Sequence, residues 1–494
     1  MQASSMFLII FLLFVVGLIY LKWTYMREYW SRRNVPYLPP YPLVGNLTFL
    51  QRVNPGIWMR QMNHFYPYVG VWWFWRPVLI INSPEIAKKV LVKDFGNFKN
   101  RLLASGANDP LGALNIFTVD DPIWSEVRRS LTKVFSSAKL KQVHPFMISK
   151  SDQLVQRIKM DVDTEINLRE VFVDYTTDII STFAFGIASD ATLTGEGPLR
   201  TVATEFMTYD LYRGLAWCSI FFWPELVELF RFTFYPKSAT DYFRRVIDTL
   251  AAQYVEKGNS AGQSVLDILI RLREENKDSD LYTNDLIVAQ AAIFMLGGFD
   301  TTASMTTFVI YELAHNKEVQ EKLFDELENA KQMSNNPLDY KQLSELTYLD
   351  CVIKEGLRKY PPMGWLDRKA IEDYNIDDKL TIKAGTPIYV NAIGMHYNPK
   401  YFPNPEEFDP DRFLPENEKN IQPYTYMPFG DGPRNCIGQR FAMLSLRTAI
   451  STIISNFKIS PLPYKPIPAK VQIEKRGLFY APGEKLSVQF TPRV

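Results

Sequence analysis

One cysteine in a glycine-rich bend constrains this chain more than any other feature. The segment Phe429-Gly430-Asp431-Gly432-Pro433-Arg434-Asn435-Cys436-Ile437-Gly438 is followed by Gln439–Ile453, a stretch with helical periodicity. Cys436 therefore sits in a tight loop just before a helix N-terminus. Free backbone N–H groups and the positive end of the helix dipole favour an anionic sulfur there. Gly432 permits a sharp turn, and Gly438 lets a large flat ligand approach the backbone closely. Phe429 is placed to shield the sulfur from water, and Arg434 to pair with a ligand carboxylate. The ordinary fate of a lone cysteine is burial as a small hydrophobe. Against that stands the pattern F-x-x-G-x-R-x-C-x-G, whose chance occurrence in a chain this long is on the order of one in ten thousand. Gly430-x-Gly432 begins like a dinucleotide fingerprint, but Asn435 stands at the third glycine and no βαβ context surrounds it.

The rest of the composition narrows the class. Lys plus Arg number 55 against 54 Asp plus Glu, so no net field gathers nucleic acid and no nucleic-acid partner is expected. At 47% apolar and 22% charged, the 494 residues can bury a sizeable core. Three cysteines (Cys218, Cys351, Cys436) make no disulfide framework and point to a reducing compartment. The four histidines are scattered, and neither C-x-x-C nor H-E-x-x-H occurs, which argues against zinc chemistry.

Residues 1–21 carry no charged side chain, and Met6–Leu21 is apolar apart from Gly17 and Tyr20. As a helix, with Trp23 included and Lys22 snorkelling, this run spans roughly 27 Å, close to the hydrocarbon thickness of the endoplasmic reticulum. Lys22, Arg27, Arg32 and Arg33 follow it, and no basic side chain precedes it. The positive-inside rule then puts everything after it in the cytosol. A cleaved signal peptide is the alternative, but it lacks a basic n-region and a small-x-small site. The expected division is a transmembrane signal anchor at 1–21, a stiff basic and proline-rich linker at 22–45, and a single body at 46–494. Within that body, Val69–Ile81, broken at Arg76-Pro77, reads as a β-hairpin, as does Leu380–Val390 around Ala384-Gly385. Residues 120–330 are mostly helical in pattern, and the longest helix runs from near Thr283 to about His315 without a proline. The fold class is mainly α with small segregated β-sheets (α+β).

The cysteine loop resembles that of the cytochrome P450 family, the haem-thiolate monooxygenases. The resemblance implies the cytochrome P450 fold behind one N-terminal transmembrane helix, haem b as cofactor, and Cys436 as the axial thiolate that pushes electron density onto iron. Other motifs stand in the family's order. Gly297-Gly298-Phe299-Asp300-Thr301-Thr302 resembles A/G-G-x-D/E-T-T/S, with Thr301 135 residues before Cys436. Two mid-helix glycines cost about 1 kcal/mol each relative to alanine. The expected compensation is room for dioxygen and water, with Asp300 and Thr301 as the catalytic proton path. Glu355-Gly356-Leu357-Arg358 is E-x-x-R, and Pro410-Asp411-Arg412-Phe413 supplies an arginine 24 residues before the cysteine. The family's pattern makes Glu355, Arg358 and Arg412 a buried structural triad. Trp124-Ser125-Glu126-Val127-Arg128 matches W-x-x-x-R. It implies that Trp124, Arg128, Arg434 and Arg368 hold the haem propionates, with Phe429 and Gly438 also against the cofactor.

By position, the substrate pocket draws on Leu103–Phe117, Phe294, Phe299, Met363, Trp365, Leu366, Leu478 and Phe479, with Trp365 expected to narrow it. Trp217–Phe234, which holds Phe221, Phe222 and Trp223, is either core or a bilayer-dipping substrate entrance. The body has no flavin or nicotinamide fingerprint, so electrons come from another protein. The resemblance implies NADPH-cytochrome P450 reductase, with cytochrome b5 as a second donor. Arg129, Lys133 and Arg440 offer either a basic docking face or an ordinary solvated one. The anchor and loop look like a microsomal animal member, most like insect xenobiotic-metabolising ones. The reaction implied is insertion of one oxygen atom from O2 into a lipophilic small molecule. The alternatives are a haem-thiolate isomerase or dehydratase, a non-catalytic haem-binding sensor, and a tethered protein without cofactor.

Overall fold

The computed structural model describes residues 2–161, 165–206, 208, 210–256, 264–275, 281–334, 338–464 and 471–493. The apolar N-terminus forms one helix, Gln2–Arg27, which continues past Leu21 into the first basic residues. Among the described residues, two stretches are long and apolar enough to cross a membrane. The most apolar window of one, Ile9–Arg33, is uncovered, and that of the other, Asn284–His315, is mostly buried. The stretch 22–45 does not stand off as a spacer but lies against the first strand. Trp30 is fully buried, with its Nε1 donating to Val71 O at 3.1 Å. A Cβ at Gly70 would meet the Trp30 ring at 2.3 Å. Gly70 N donates to Pro36 O at 2.8 Å and Leu38 N to Gly70 O at 3.1 Å.

The body is mainly helical with small sheets, as expected, three of them among the described residues. In the first sheet β1 (Tyr68–Trp73) pairs antiparallel with β2 (Arg76–Ile81), Tyr68 opposite Ile81. The hairpin forms, but it turns at Phe74-Trp75, with Phe74 at φ +53°. Arg76 and Pro77 belong to the strand. Pro77 is tolerated because the neighbour on its far side, β7 (Pro387–Val390), begins to pair only at Leu79. With β4 at Leu366–Lys369, the first sheet continues in the order β1-β2-β7-β4. A short strand β3 (Ile166–Asn167) joins β9 (Ser487–Pro492), which pairs with β8 (Phe457–Pro461).

The second expected hairpin does not form. Its two halves belong to different sheets. Thr381–Ile382 (β6) pairs with Tyr374–Asn375 (β5), while Pro387–Val390 (β7) lies between β2 and Leu366–Lys369 (β4). All four residues of β7 are buried. A strand apolar on both faces needs a central place in a sheet, and a two-stranded hairpin could not cover it.

The long helix, Asn284–His315, begins after Thr283, whose hydroxyl accepts from Leu286 N at 3.2 Å. Its 32 residues span about 48 Å at the helical rise. It packs against Leu168–Ile180 and against Gln439–Asn456, the helix that follows Cys436.

Candidate active site

A cavity of about 280 Å³ lies between the long helix and the cysteine loop, and Cys436 lines it. Backbone geometry sets the loop. Gly430 and Gly432 have φ of +72° and +71°. A Cβ on Gly432 would come within 1.9 Å of Leu91 O, so the turn admits only glycine. Cys436 N donates to Phe429 O at 2.8 Å, and Asn435 N to Gly432 O at 3.0 Å. Phe429 and Gly438 also face the cavity. The sulfur is open to the cavity yet deep in the protein. Burial pushes its thiol up, while a Gly438 backbone hydrogen bond and the Arg128 charge pull it down, and burial prevails. A cation against the sulfur would favour the thiolate.

Three guanidinium groups crowd one side of the cavity. Arg101, Arg368 and Arg434 are all buried. Arg101 and Arg434 line the cavity, and Arg368, which does not, is close enough for its charge to act on both. Arg434 Nη2 donates to Val119 O at 3.0 Å, and its plane lies 4.4 Å from the Trp124 ring. Its Nε and Nη1, with Nε of Arg101 and Arg368, have no hydrogen-bond partner among the described residues. Burial first, then repulsion from Arg101 and Arg368, holds Arg434 below the usual arginine range. Arg368 is lowered by burial and by Arg101. Unpartnered donors on mutually repelling cations, aimed at a cavity, are what an anionic ligand would neutralise. Two carboxylates of a flat cofactor fit that requirement. Arg128 also lines the cavity. Its Nη1 and Nη2 donate to Asn435 O and Oδ1 at 2.9 and 2.7 Å, which ties the Trp124 helix, Ile123–Thr132, to the cysteine loop. Arg101 escaped the sequence reading because no motif surrounds it.

The two glycines of the long helix serve different ends. Nothing lies within 4 Å of a Cβ on Gly297, which opens onto the cavity. A Cβ on Gly298 would meet Ile180 at 2.6 Å, so Gly298 permits close packing on Leu168–Ile180 and supplies no free space. Thr301 lines the cavity with its Oγ1 donating to Gly297 O at 2.6 Å. Asp300 also lines it and accepts from Arg169 Nη2 at 2.8 Å. Burial raises the Asp300 carboxyl against the pull of Arg169. Arg169 stands 131 residues away in sequence, and no local pattern announces it.

Of the expected pocket residues, Phe117, Phe294, Met363, Leu366 and Phe479 line the cavity. Phe299 and Trp365 do not. Phe294, Gly297, Gly298, Thr301 and Thr302 share one helix face, while Phe299, five residues after Phe294, points off it. Phe299 instead borders a smaller neighbouring pocket with Asp300, Leu478 and Phe479. Trp365 is buried against Phe222, ring centroids 5.8 Å apart. Extended chain alternates its faces, so Leu366 facing the cavity turns Trp365 away, and Trp365 does not narrow the pocket. Ile116, within the expected stretch Leu103–Phe117, lines it too, and Phe135, Ile180, Phe234 and Phe441 do so beyond the sequence expectation.

The structural triad forms. Glu355 and Arg358, both fully buried, make a two-pronged pair with N–O distances of 2.7 Å. Arg412 Nε lies 3.5 Å from Glu355 Oε1. His396, which the sequence reading left unassigned, completes the network. It accepts from Met427 N at Nε2 (2.9 Å), its Nδ1 is 3.0 Å from Arg358 O, and Arg358 Nη1 donates to His396 O at 2.9 Å. Burial, then the Arg358 charge, lowers His396 to about 3. The native state thus holds this histidine neutral while the unfolded chain protonates it below about 6.5. Stability is retained above that pH and lost as pH falls, by about 1.4 kcal/mol per unit from this group. Denaturant unfolding at pH 7.5 and 5.5 should show this loss, and His396→Gln should flatten it. An unchanged pH slope in the variant would mean that His396 is not the group involved.

Comparison with known proteins agrees with this geometry. The family model described as Cytochrome P450 matches residues 35–487. The chain is 33% identical to Cytochrome P450 6k1 of Blattella germanica, over 95% of this chain and 94% of that protein. It is 32% identical to Probable cytochrome P450 6g2 of Drosophila melanogaster, over 95% and 96%. It is 33% identical to Cytochrome P450 6a2 of the same fly, over 94% and 97%. These relatives are insect proteins, the kind that the loop and anchor suggested. The chain belongs to the cytochrome P450 family, the haem-thiolate monooxygenases that bind haem b.

Proposed function

We propose that this chain is a microsomal monooxygenase in which Cys436 would hold the haem iron through its thiolate and which oxidises lipophilic small molecules, xenobiotics or endogenous lipids, in the 280 Å³ cavity that Cys436 lines. The observation that carries the reading is the pairing, across one cavity, of a glycine-bend cysteine with buried arginine donors that have no hydrogen-bond partner among the described residues. When bound, haem supplies the redox chemistry that activates O2 and delivers one oxygen atom to substrate. Trp124, Arg434, Arg101 and Arg368 would hold its carboxylates, with Phe429 and Gly438 against its face. Arg128 holds the cysteine loop. Asp300 and Thr301 carry protons inward from the Arg169 side. Phe117, Phe294, Met363, Leu366 and Phe479 exclude water and give the cavity its apolar lining. Glu355, Arg358 and Arg412 maintain the fold beneath the loop.

The redox partner we assign is a membrane-bound NADPH-cytochrome P450 reductase, with cytochrome b5 as a second donor. Lys133 and Arg440 are exposed, and Arg129, also exposed, pairs only with its neighbour Glu126. These cations suit an acidic docking partner. The apolar N-terminal helix anchors the chain in the endoplasmic reticulum, and the basic residues after it place the body on the cytosolic face. Phe221 and Phe222 are core, whereas Leu211, Tyr212, Leu215, Leu229 and Phe230 in the same region are exposed. That patch, rather than Phe221 and Phe222, suits contact with lipid.

The test is purified full-length protein reconstituted with the reductase and a panel of lipophilic compounds, read by mass spectrometry. NADPH-dependent oxygenated product is expected. Product without NADPH would indicate the isomerase class, and ligand-induced spectral shifts with no turnover would indicate a sensor. In the same assay Thr301→Ala should keep its haem but divert at least half of NADPH consumption into peroxide. Unchanged coupling would remove Thr301 from the proton path.

A further inference from the structure

The roof of the cavity is pinned by a side chain that the chemistry above does not use. Gln290 lies on the long helix, seven residues before Gly297, and is 1% exposed. Its Nε2 donates to Leu114 O at 2.7 Å and to Leu286 O at 3.2 Å, and its Oε1 accepts from Ile116 N at 2.8 Å. Both ends of one carboxamide therefore bind the backbone of a single loop. The loop is also tied to itself. Asn115, fully buried, donates from Nδ2 to Leu111 O and Gly112 O at 3.1 and 2.8 Å. Its Oδ1 accepts from Phe117 N and Thr118 N at 3.0 and 3.2 Å. The outcome is that Ile116 and Phe117, both lining the cavity, are clamped to the same helix that carries Gly297 and Thr301. The Arg101 guanidinium lies 4.3 Å from the Phe117 ring.

We infer that Gln290 is a positioning residue for substrate selectivity, setting the height of Ile116 and Phe117 above the floor of the cavity. The inference rests on reading that cavity as a haem and substrate site. The helix itself does not require a polar group at this position. Methionine has nearly the same outline and similar helix propensity, and it would avoid desolvating an amide. The amide is at home only because the loop backbone completes its hydrogen bonds, and the loop in turn has buried groups that need it. Releasing the clamp leaves the floor intact but makes the roof adjust to each ligand, so ligands that reach the roof lose a preorganised surface while those that do not are unaffected.

The experiment uses the full-length haem-loaded protein in nanodiscs, Gln290→Met, and two iron ligands of different reach, imidazole and 4-phenylimidazole, read by the Soret shift. The dissociation constant for 4-phenylimidazole should rise at least fivefold while that for imidazole stays within twofold. Amide exchange across 114–118 should accelerate in the same variant. General weakening of the fold would move both ligands together, so equal changes, or none, overturn the inference while leaving the haem site standing. If the unsubstituted protein gives no Soret shift with imidazole, the haem-site reading fails instead. Should Gln290→Met not load haem, Gln290→Glu serves. It keeps the outline and the acceptor for Ile116 and loses the donor to Leu114, and the same selective loss is expected. Loss of haem by both variants overturns the inference, because the clamp would then serve the fold and not the roof.

Discussion

Cys436→Ala, expressed as the full chain, should show complete loss of the reduced-CO absorption band of thiolate haem. No other thiol can substitute. Cys218 and Cys351 are buried in helices Leu211–Phe222 and Thr347–Lys359, and neither lines the cavity. Burial pushes their thiols up to about 12 and about 11. No histidine lines the cavity either, and among the described residues no group of three His, Cys, Asp or Glu side chains could hold a metal. Cofactor bound by the arginines alone could survive in the variant, so total haem must be measured beside the CO spectrum. A persistent thiolate band would put the ligand elsewhere and remove the basis for the proposed site.

The parts of this site that were legible in the sequence are those fixed by local backbone chemistry. Gly430 and Gly432 mark positive φ, and Thr283 marks the start of the long helix, because each is dictated by its immediate neighbours. Glu355 and Arg358 are likewise one helical turn apart, so their pairing needs nothing beyond the helix. What stayed hidden depends on elements that meet only in the folded chain. Arg101 reaches the cavity because β4 delivers Asp367 next to it, 3.4 Å from Nη1. Arg169 finds Asp300, and Gln290 finds Leu114, across more than a hundred residues.

Two errors share a cause. The turn expected at Arg76-Pro77 and the hairpin expected at Leu380–Val390 both came from reading proline and glycine as punctuation between paired neighbours. In the fold, Pro77 sits where β2 has no second partner. The Ala384-Gly385 turn separates strands of different sheets, with Gly385 N donating to Ala370 O at 2.7 Å. Sheet membership is decided by burial on both faces of β7, which no local signal encodes. The glycine pair of the long helix teaches the same point. Gly297 and Gly298 are indistinguishable as letters, yet an added Cβ would meet nothing within 4 Å at the first and Ile180 at the second.

The second large effect is expected at Glu355, which lies away from the chemistry. Glu355→Ala leaves the Arg358 guanidinium, fully buried, without either carboxylate contact, and takes an acceptor from Asp409 N at 2.9 Å. Removing one partner of a buried pair costs about 3–5 kcal/mol, against a total stability of about 5–15 kcal/mol for a domain. The damage does not stay local. Arg358 supports the His396 carbonyl, His396 holds Met427 N, and Met427 O accepts from Gly430 N at 3.1 Å, at the entrance to the cysteine loop. Loosening Arg358 therefore loosens the loop that presents Cys436. The expected result is a lower unfolding midpoint and at least a tenfold fall in haem-loaded protein, measured by thermal unfolding and total haem per chain. The double variant Glu355→Gln with Arg358→Met separates charge from packing. It removes the stranded cation, so it should recover part of the stability lost by Glu355→Ala. A Glu355→Ala protein with normal haem content and an unshifted midpoint would show that the buried pair does not support the loop.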